Sequence, residues 1–181
     1  MLASPLVAPW VKAQSKSGKK YKTALIGSGW WGMNILRVAI KDGSCDVVAL
    51  CDVDSDELEV SADEVNGLTG KFPNMYRDYR EMLEKEDVEI AIISTPDHWH
   101  AKVAIEAMLS GKDVYCEKPM TLTIEEGRQI CEVQQKTGRV FQVGTQQRSI
   151  PHMLKAVALV HEGRLGKLIK VQCAIGGGPT S

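Results

Sequence analysis

The chain has 181 residues, 44% of them hydrophobic and 25% charged, which suits one globular domain plus a fragment of another and supplies enough apolar material for a core. Its formal net charge of -1 excludes the basic balance of a nucleic-acid-binding protein and makes a small-molecule ligand the default. No apolar run approaches the roughly 18 residues that span a bilayer, and the five cysteines (Cys45, Cys51, Cys116, Cys131, Cys173) are scattered without a C-x-x-C pair, which argues for reduced thiols over disulfides or structural zinc.

Residues 1–14 are apolar and broken by Pro5 and Pro9, and lack a basic leading region. They read either as the tail of an export signal, with residues 11–13 a loose match to a small-residue cleavage site, or as an extension. The chain as given reads as cytoplasmic, and export belongs to the first of these readings. Residues 15–20 form a polar linker, so residues 1–20 precede the fold.

From Tyr21 onward, apolar runs alternate with helical patterns. Residues 22–26 predict a strand ending in glycines, and residues 31–41 a helix stopping near Gly43. Residues 46–50 predict a second strand. Asp54 caps the next helix with Glu57 three residues on; Leu58, Ala62 and Val65 follow its period, and Gly67 and Gly70 end it. A very short strand at Met75 and Tyr76 and a short helix over 79–85 follow. Residues 88–94 (VEIAIIS) predict a strand apolar on both faces, as in a parallel sheet. A helix over 99–110 closes at Gly111, and a strand covers 113–116. Thr123 and Glu126 form a capping box for a helix running to Thr137, and residues 140–143 are a sixth strand. Pro151 sits at a first helical position, in a helix ending near Gly163. Strand and helix in alternation predict an α/β fold, a doubly wound parallel sheet with helices on both faces and right-handed crossovers.

The first strand-to-helix turn reads Gly27-Ser28-Gly29-Trp30-Trp31-Gly32, a G-x-G-x-x-G between a strand and a helix. Gly27 allows the tight turn, Gly29 the approach of a pyrophosphate, and Gly32 close packing of helix on strand. The phosphates of a dinucleotide then sit on the helix N-terminus. Asp52, about 20 residues further at the end of the second strand, suits the adenosine ribose hydroxyls and repels a 2′-phosphate, favouring NAD over NADP. Ser94-Thr95-Pro96-Asp97-His98-Trp99-His100 follows the fourth strand, at the edge where ligands of open α/β sheets sit. His98 and His100 lack a third ligand in view, so packing or nucleotide contact outranks a metal. Glu117-Lys118-Pro119 ends the fifth strand, and Lys118 reads either as a group that manages a substrate proton or as a solvated lysine.

G-S-G-W-W-G, Asp52, S-T-P-D-H-W-H and, most specifically, E-K-P resemble the glucose–fructose oxidoreductase/inositol dehydrogenase (Gfo/Idh/MocA) family over residues 21–178. The resemblance implies a Rossmann-type NAD-binding domain over 21–163 and the first strand of a truncated α+β substrate domain in 164–181. It implies hydride transfer between nicotinamide and a hydroxyl of a sugar or cyclitol, and a homo-oligomer for the full-length protein. It makes Lys118 the lysine that meets substrate near the nicotinamide. Gly27, Ser28, Gly29, Trp30, Trp31, Gly32, Asp52, Thr95, Pro96, His98 and Glu117 then form the cofactor site, and residues 143–148 border the active site. The family supplies further catalytic groups from a later domain, so catalysis by this chain alone is not expected. The alternatives are a glycosidase of the same superfamily that uses held NAD transiently, and a non-catalytic NAD-binding fragment.

Overall fold

The computed structural model describes residues 18–174; residues 1–14, read above as export tail or extension, lie outside them. In chain order the elements are β1 (Tyr21–Ile26), α1 (Trp30–Asp42), β2 (Cys45–Cys51), α2 (Ser55–Thr69), β3 (Asn74–Tyr76), α3 (Tyr79–Lys85), β4 (Ile90–Ile93), α4 (Asp97–Leu109), β5 (Asp113–Glu117), α5 (Ile124–Thr137), β6 (Phe141–Gly144), a 3-10 turn (Gln146–Ser149) and α6 (Pro151–His161). The six strands form one sheet in the order β3-β2-β1-β4-β5-β6. Every neighbouring pair is parallel, with Leu25 flanked by Leu50 on one side and Ile92 on the other. The doubly wound α/β sheet expected from the alternation is therefore present.

Strand pleating explains why the strands are apolar throughout. On one face Leu25, Leu50 and Ile92 pack with Met33 and Leu36 of α1 and Leu58, Ala62 and Val65 of α2. On the other, Ala24, Ile26, Ala91 and Ile93 pack with Met82 of α3, Val103, Ala104 and Met108 of α4, and Ile130 of α5. Chain direction reverses its spread across the sheet between β1 and β4, which opens a crevice at their carboxyl ends.

The helix ends follow local chemistry. Asp54 accepts from the Asp56 and Glu57 amides at 3.0 and 3.4 Å. Thr123 and Glu126 close a full reciprocal box on α5. Three expectations shift. Helix α2 passes through Gly67 and ends at Gly70, which takes φ 72°; a mid-helix glycine costs about 1 kcal/mol, too little to stop a helix anchored by Leu58, Ala62 and Val65. Helix α4 begins at Asp97 rather than Trp99, because Pro96 takes the N-cap. Residues 165–171, expected to enter a strand, form none; an extended segment becomes a strand only by pairing, and none of the described strands pairs with it.

The described residues divide into two compact units, one ending at Gly144 and one starting at Thr145. In the second, Pro151 occupies the first turn of α6 and the Gly163 amide donates to the Val160 carbonyl at 3.0 Å. Among the described residues no helix is long and apolar enough to cross a membrane.

The core makes a chemical prediction. Burial, with Asp52 and Glu117 beside them respectively, pushes the Cys51 and Cys116 thiols up to about 12. Cys131 and Cys173 are exposed. A disulfide reagent at pH 8 is expected to modify these two promptly and to leave Cys51 and Cys116 intact in the folded chain. Peptide mapping that finds Cys116 modified on the same timescale would contradict this core.

Candidate functional site

The turn from β1 to α1 needs its glycines for different reasons. Gly27 takes φ 90°, and a Cβ there would lie 2.6 Å from the Ser94 backbone. A Cβ on Gly32 would lie 2.0 Å from the Gly27 carbonyl oxygen. These two let β1, α1 and the end of β4 approach one another. Gly29 differs: its φ of -64° is ordinary, and a Cβ there would meet nothing within 4 Å. It is the N-cap of α1 and offers no side chain to the first-turn amides. The 13-residue helix thus presents bare N–H groups and the positive end of its dipole beside open space, a cradle suited to an anion.

Ser28 faces inward and is fully buried. Its amide donates to Asp52 Oδ2 at 2.7 Å, its hydroxyl lies 3.4 Å from the same oxygen, and its carbonyl accepts from Ser61 Oγ at 2.7 Å. Asp52 Oδ1 accepts from the Asp54 amide at 3.1 Å. The carboxylate placed by sequence at the ribose is thus also a strap between β2 and the glycine turn. Oδ1 keeps a second lone pair, so the group still has an acceptor for a hydroxyl. Trp30 and Trp31 stand exposed on the first turn of α1, with ring centroids 5.4 Å apart.

A cleft of about 400 Å³ opens at the switch point, walled by Gly27, Gly29, Asp52, Thr95, Pro96 and Trp99. The hydroxyl of Thr95 is buried with no hydrogen-bond partner among the described residues. Buried polar atoms are rarely left so, and an orphan in the wall of a cleft suits a ligand that brings the missing partner. The bare α1 terminus, the Asp52 carboxylate and this hydroxyl together fit a dinucleotide.

Four wall residues went unnoticed in the sequence: Arg77, Asp78, Tyr79 and Arg80. Short β3 pairs with β2 and delivers them opposite Asp52. Arg77 Nη2 donates to the Val53 carbonyl at 2.9 Å, and Arg80 is clamped to Asp78 at 2.7 and 2.9 Å. Burial and its bond to Glu106 hold the Tyr79 hydroxyl well above its usual range, so it stays a neutral donor. Their only sequence signal was polarity between a short strand and a capped helix.

The end of β5 lies one strand beyond β4. Glu117 is 3% exposed, accepting from Tyr115 Oη at 3.2 Å and from the Lys118 amide at 3.3 Å. A Cβ on Gly144 of β6 would come within 2.5 Å of the Glu117 carboxylate, so that glycine makes its room. Lys118 is exposed, and the Lys118–Pro119 peptide is cis. Lys118 does not line the cleft but stands at the same carboxyl edge of the sheet. The histidines part: His98 is exposed beside Trp99, and His100 is buried between two carbonyl groups. Among the described residues no group of three or more histidine, cysteine or carboxylate side chains could hold a metal.

Comparison with known proteins agrees with this geometry. Residues 21–145 match the family model described as the oxidoreductase family, NAD-binding Rossmann fold. The chain is 30% identical over 152 residues to an inositol 2-dehydrogenase of Salmonella typhimurium, covering 83% of this chain and 44% of that protein. It is 29% identical over 157 residues to a glycosyl hydrolase family 109 protein of Shewanella baltica, covering 84% of this chain and 34% of that one. The structure of scyllo-inositol dehydrogenase from Lactobacillus casei with bound NAD(H) and scyllo-inositol superimposes with a TM-score of 0.73 at 25% identity, over 82% of this chain and 43% of that one. The chain thus spans less than half the length of the relatives it matches. Within that span, the glycine turn, the switch-point cleft and the family match have one explanation: this chain belongs to the Gfo/Idh/MocA oxidoreductase family and carries its NAD-binding Rossmann domain.

Proposed function

We propose that the chain is the cofactor-holding part of an oxidoreductase that moves a hydride between NAD and a hydroxyl-bearing carbon of a sugar or cyclitol, with NAD preferred to NADP. One observation carries this reading: the bare N-terminus of α1 and the Asp52 carboxylate open into one cleft. The amides of α1 take the pyrophosphate and Asp52 takes the ribose hydroxyls, where a 2′-phosphate would meet its charge. Gly27 and Gly32 shape the turn, Ser28 braces it, Trp30 and Trp31 flank it, and Thr95, Pro96 and His98 border the cofactor. NAD supplies the hydride acceptor. Lys118 polarises or deprotonates the substrate hydroxyl, directly or through a residue of the later domain, and Glu117 fixes the backbone that carries it. Residues 21–163 form the cofactor domain, and residues 164–181 begin the substrate domain.

Titration with NADH and NADPH, followed by tryptophan emission, tests the cofactor reading, because Trp30 and Trp31 lie on the phosphate turn. Saturable quenching is expected, at least about tenfold tighter for NADH, or about 1.4 kcal/mol. Equal affinities remove the preference, and no response to either removes the site.

Lys118→Ala in the full-length protein tests the chemistry. NADH affinity is expected to stay within about twofold, while turnover on a panel of inositols and aldoses falls about 10²-fold or more, the usual contribution of a positioned acid–base group. Unchanged turnover would assign Lys118 to the solvent.

A further inference from the structure

His100 is 2% exposed, and both of its ring nitrogens meet backbone carbonyl oxygens. Nε2 lies 2.9 Å from the Thr95 carbonyl oxygen and Nδ1 lies 2.6 Å from the Pro119 carbonyl oxygen. Thr95 belongs to the loop after β4 that walls the cleft, and Pro119 directly follows Lys118 in the loop after β5. One imidazole therefore bridges the loop proposed to hold cofactor and the loop proposed to hold substrate.

The donor count is what makes this contact informative. A carbonyl oxygen only accepts, and a neutral imidazole has one N–H and one lone pair. Both contacts are hydrogen bonds only when both nitrogens carry protons. In the neutral ring one lone pair faces another at hydrogen-bond distance, with no room for water between, and one loop is released. We propose that His100 is a positioning residue that clamps the Thr95 loop to the Lys118 loop through its doubly protonated ring, and that losing the proton uncouples them.

The charged groups of the elements packed against α4 are largely engaged elsewhere. On α4 itself, Lys102 pairs with Glu106, which also accepts from Tyr79 of α3, and Asp97 and His98 are exposed. Arg80 of α3 is held by Asp78, and Glu126 of α5 closes its capping box. Glu117, buried at the end of β5, is the nearest anion in sequence to Pro119, and exposed Lys118 the nearest cation. Strand β4 brings no charge. Two carbonyl dipoles thus do the immediate work of holding the protonated ring.

The test is nitrogen NMR of the histidine rings, with backbone amide shifts of Thr95 and Lys118, from pH 5.5 to 8.5. The His100 ring is expected to show two protonated nitrogens at the acid end and to lose one as pH rises. The Thr95 and Lys118 amides are expected to move on that same curve, and to stop moving in His100→Asn. A ring in one neutral tautomer throughout, or a Lys118 amide indifferent to the ring's titration, overturns the clamp. NADH affinity adds a readout that rests on the proposed cofactor site. It is expected to weaken about tenfold in His100→Phe, with partial recovery in His100→Asn, which keeps one donor. The NMR curves need no cofactor, so failure of the clamp and failure of the NAD reading give different results.

Discussion

Gly29→Ala is expected to leave the folded chain almost as stable as the parent and to weaken NADH binding by tenfold or more, while Gly32→Ala destabilises the fold itself. At Gly29 the backbone is already in a region any residue adopts, and an added Cβ touches nothing within 4 Å. The change costs at most about 1 kcal/mol, the ordinary penalty of alanine at an N-cap. The methyl group would then stand in the space through which a pyrophosphate reaches the α1 amides, so NADH affinity is expected to fall by tenfold or more, about 1.4 kcal/mol upward. At Gly32 the new Cβ would be 2.0 Å from the Gly27 carbonyl oxygen, which is backbone and has nowhere to go. Relieving that overlap means lifting α1 from β1, at about 3 kcal/mol, and lowering the melting temperature by about 10 °C. Thermal melts with a parallel NADH titration separate the two. If Gly29→Ala binds NADH normally, the open space beside Gly29 is not the phosphate cradle.

That contrast was half legible in the sequence. The spacing of Gly27, Gly29 and Gly32 between an apolar run and a helical period located the turn, because tight geometry and glycine go together locally. Which glycine serves the fold and which serves the ligand depends on Ser94 and on the Gly27 carbonyl, which only the docking of β4 beside β1 brings near. The same divide runs through the rest of the site. Asp54, Thr123 and Gly43 announced their helix ends, since capping is decided within four residues. The Arg77 to Arg80 wall carried no signal beyond polarity, because three residues of β3 pairing with β2 place it opposite Asp52. His100 looked like half of a histidine pair at i and i+2 spacing. On a helix that spacing puts the two rings on different faces, and one is buried between carbonyls while the other is exposed.

Asp52 draws the second large effect, and its two substitutions should diverge. Read from sequence, Asp52 is a ribose acceptor, and removing its charge should simply relax the choice between NADH and NADPH. In the structure its Oδ2 also accepts the buried Ser28 amide at 2.7 Å, so the side chain is part of the glycine turn proposed to hold the phosphates. Asp52→Ala leaves that amide without a partner, a loss of about 1.5–3 kcal/mol for a bond to a charged acceptor. Affinity for both cofactors is then expected to fall together, by about 10²-fold. Asp52→Asn keeps an oxygen for the Ser28 amide and forfeits the bond from the Asp54 amide, which would meet a donor. It should hold the turn, weaken NADH modestly, and bring NADPH to within about threefold of NADH, because the charge opposing a 2′-phosphate is gone. Paired titrations of the two variants with both cofactors decide the matter. If Asp52→Ala loses NADH alone and gains NADPH, the carboxylate reads the ribose without bracing the turn. If both variants lose both cofactors equally, it braces the turn without reading the ribose.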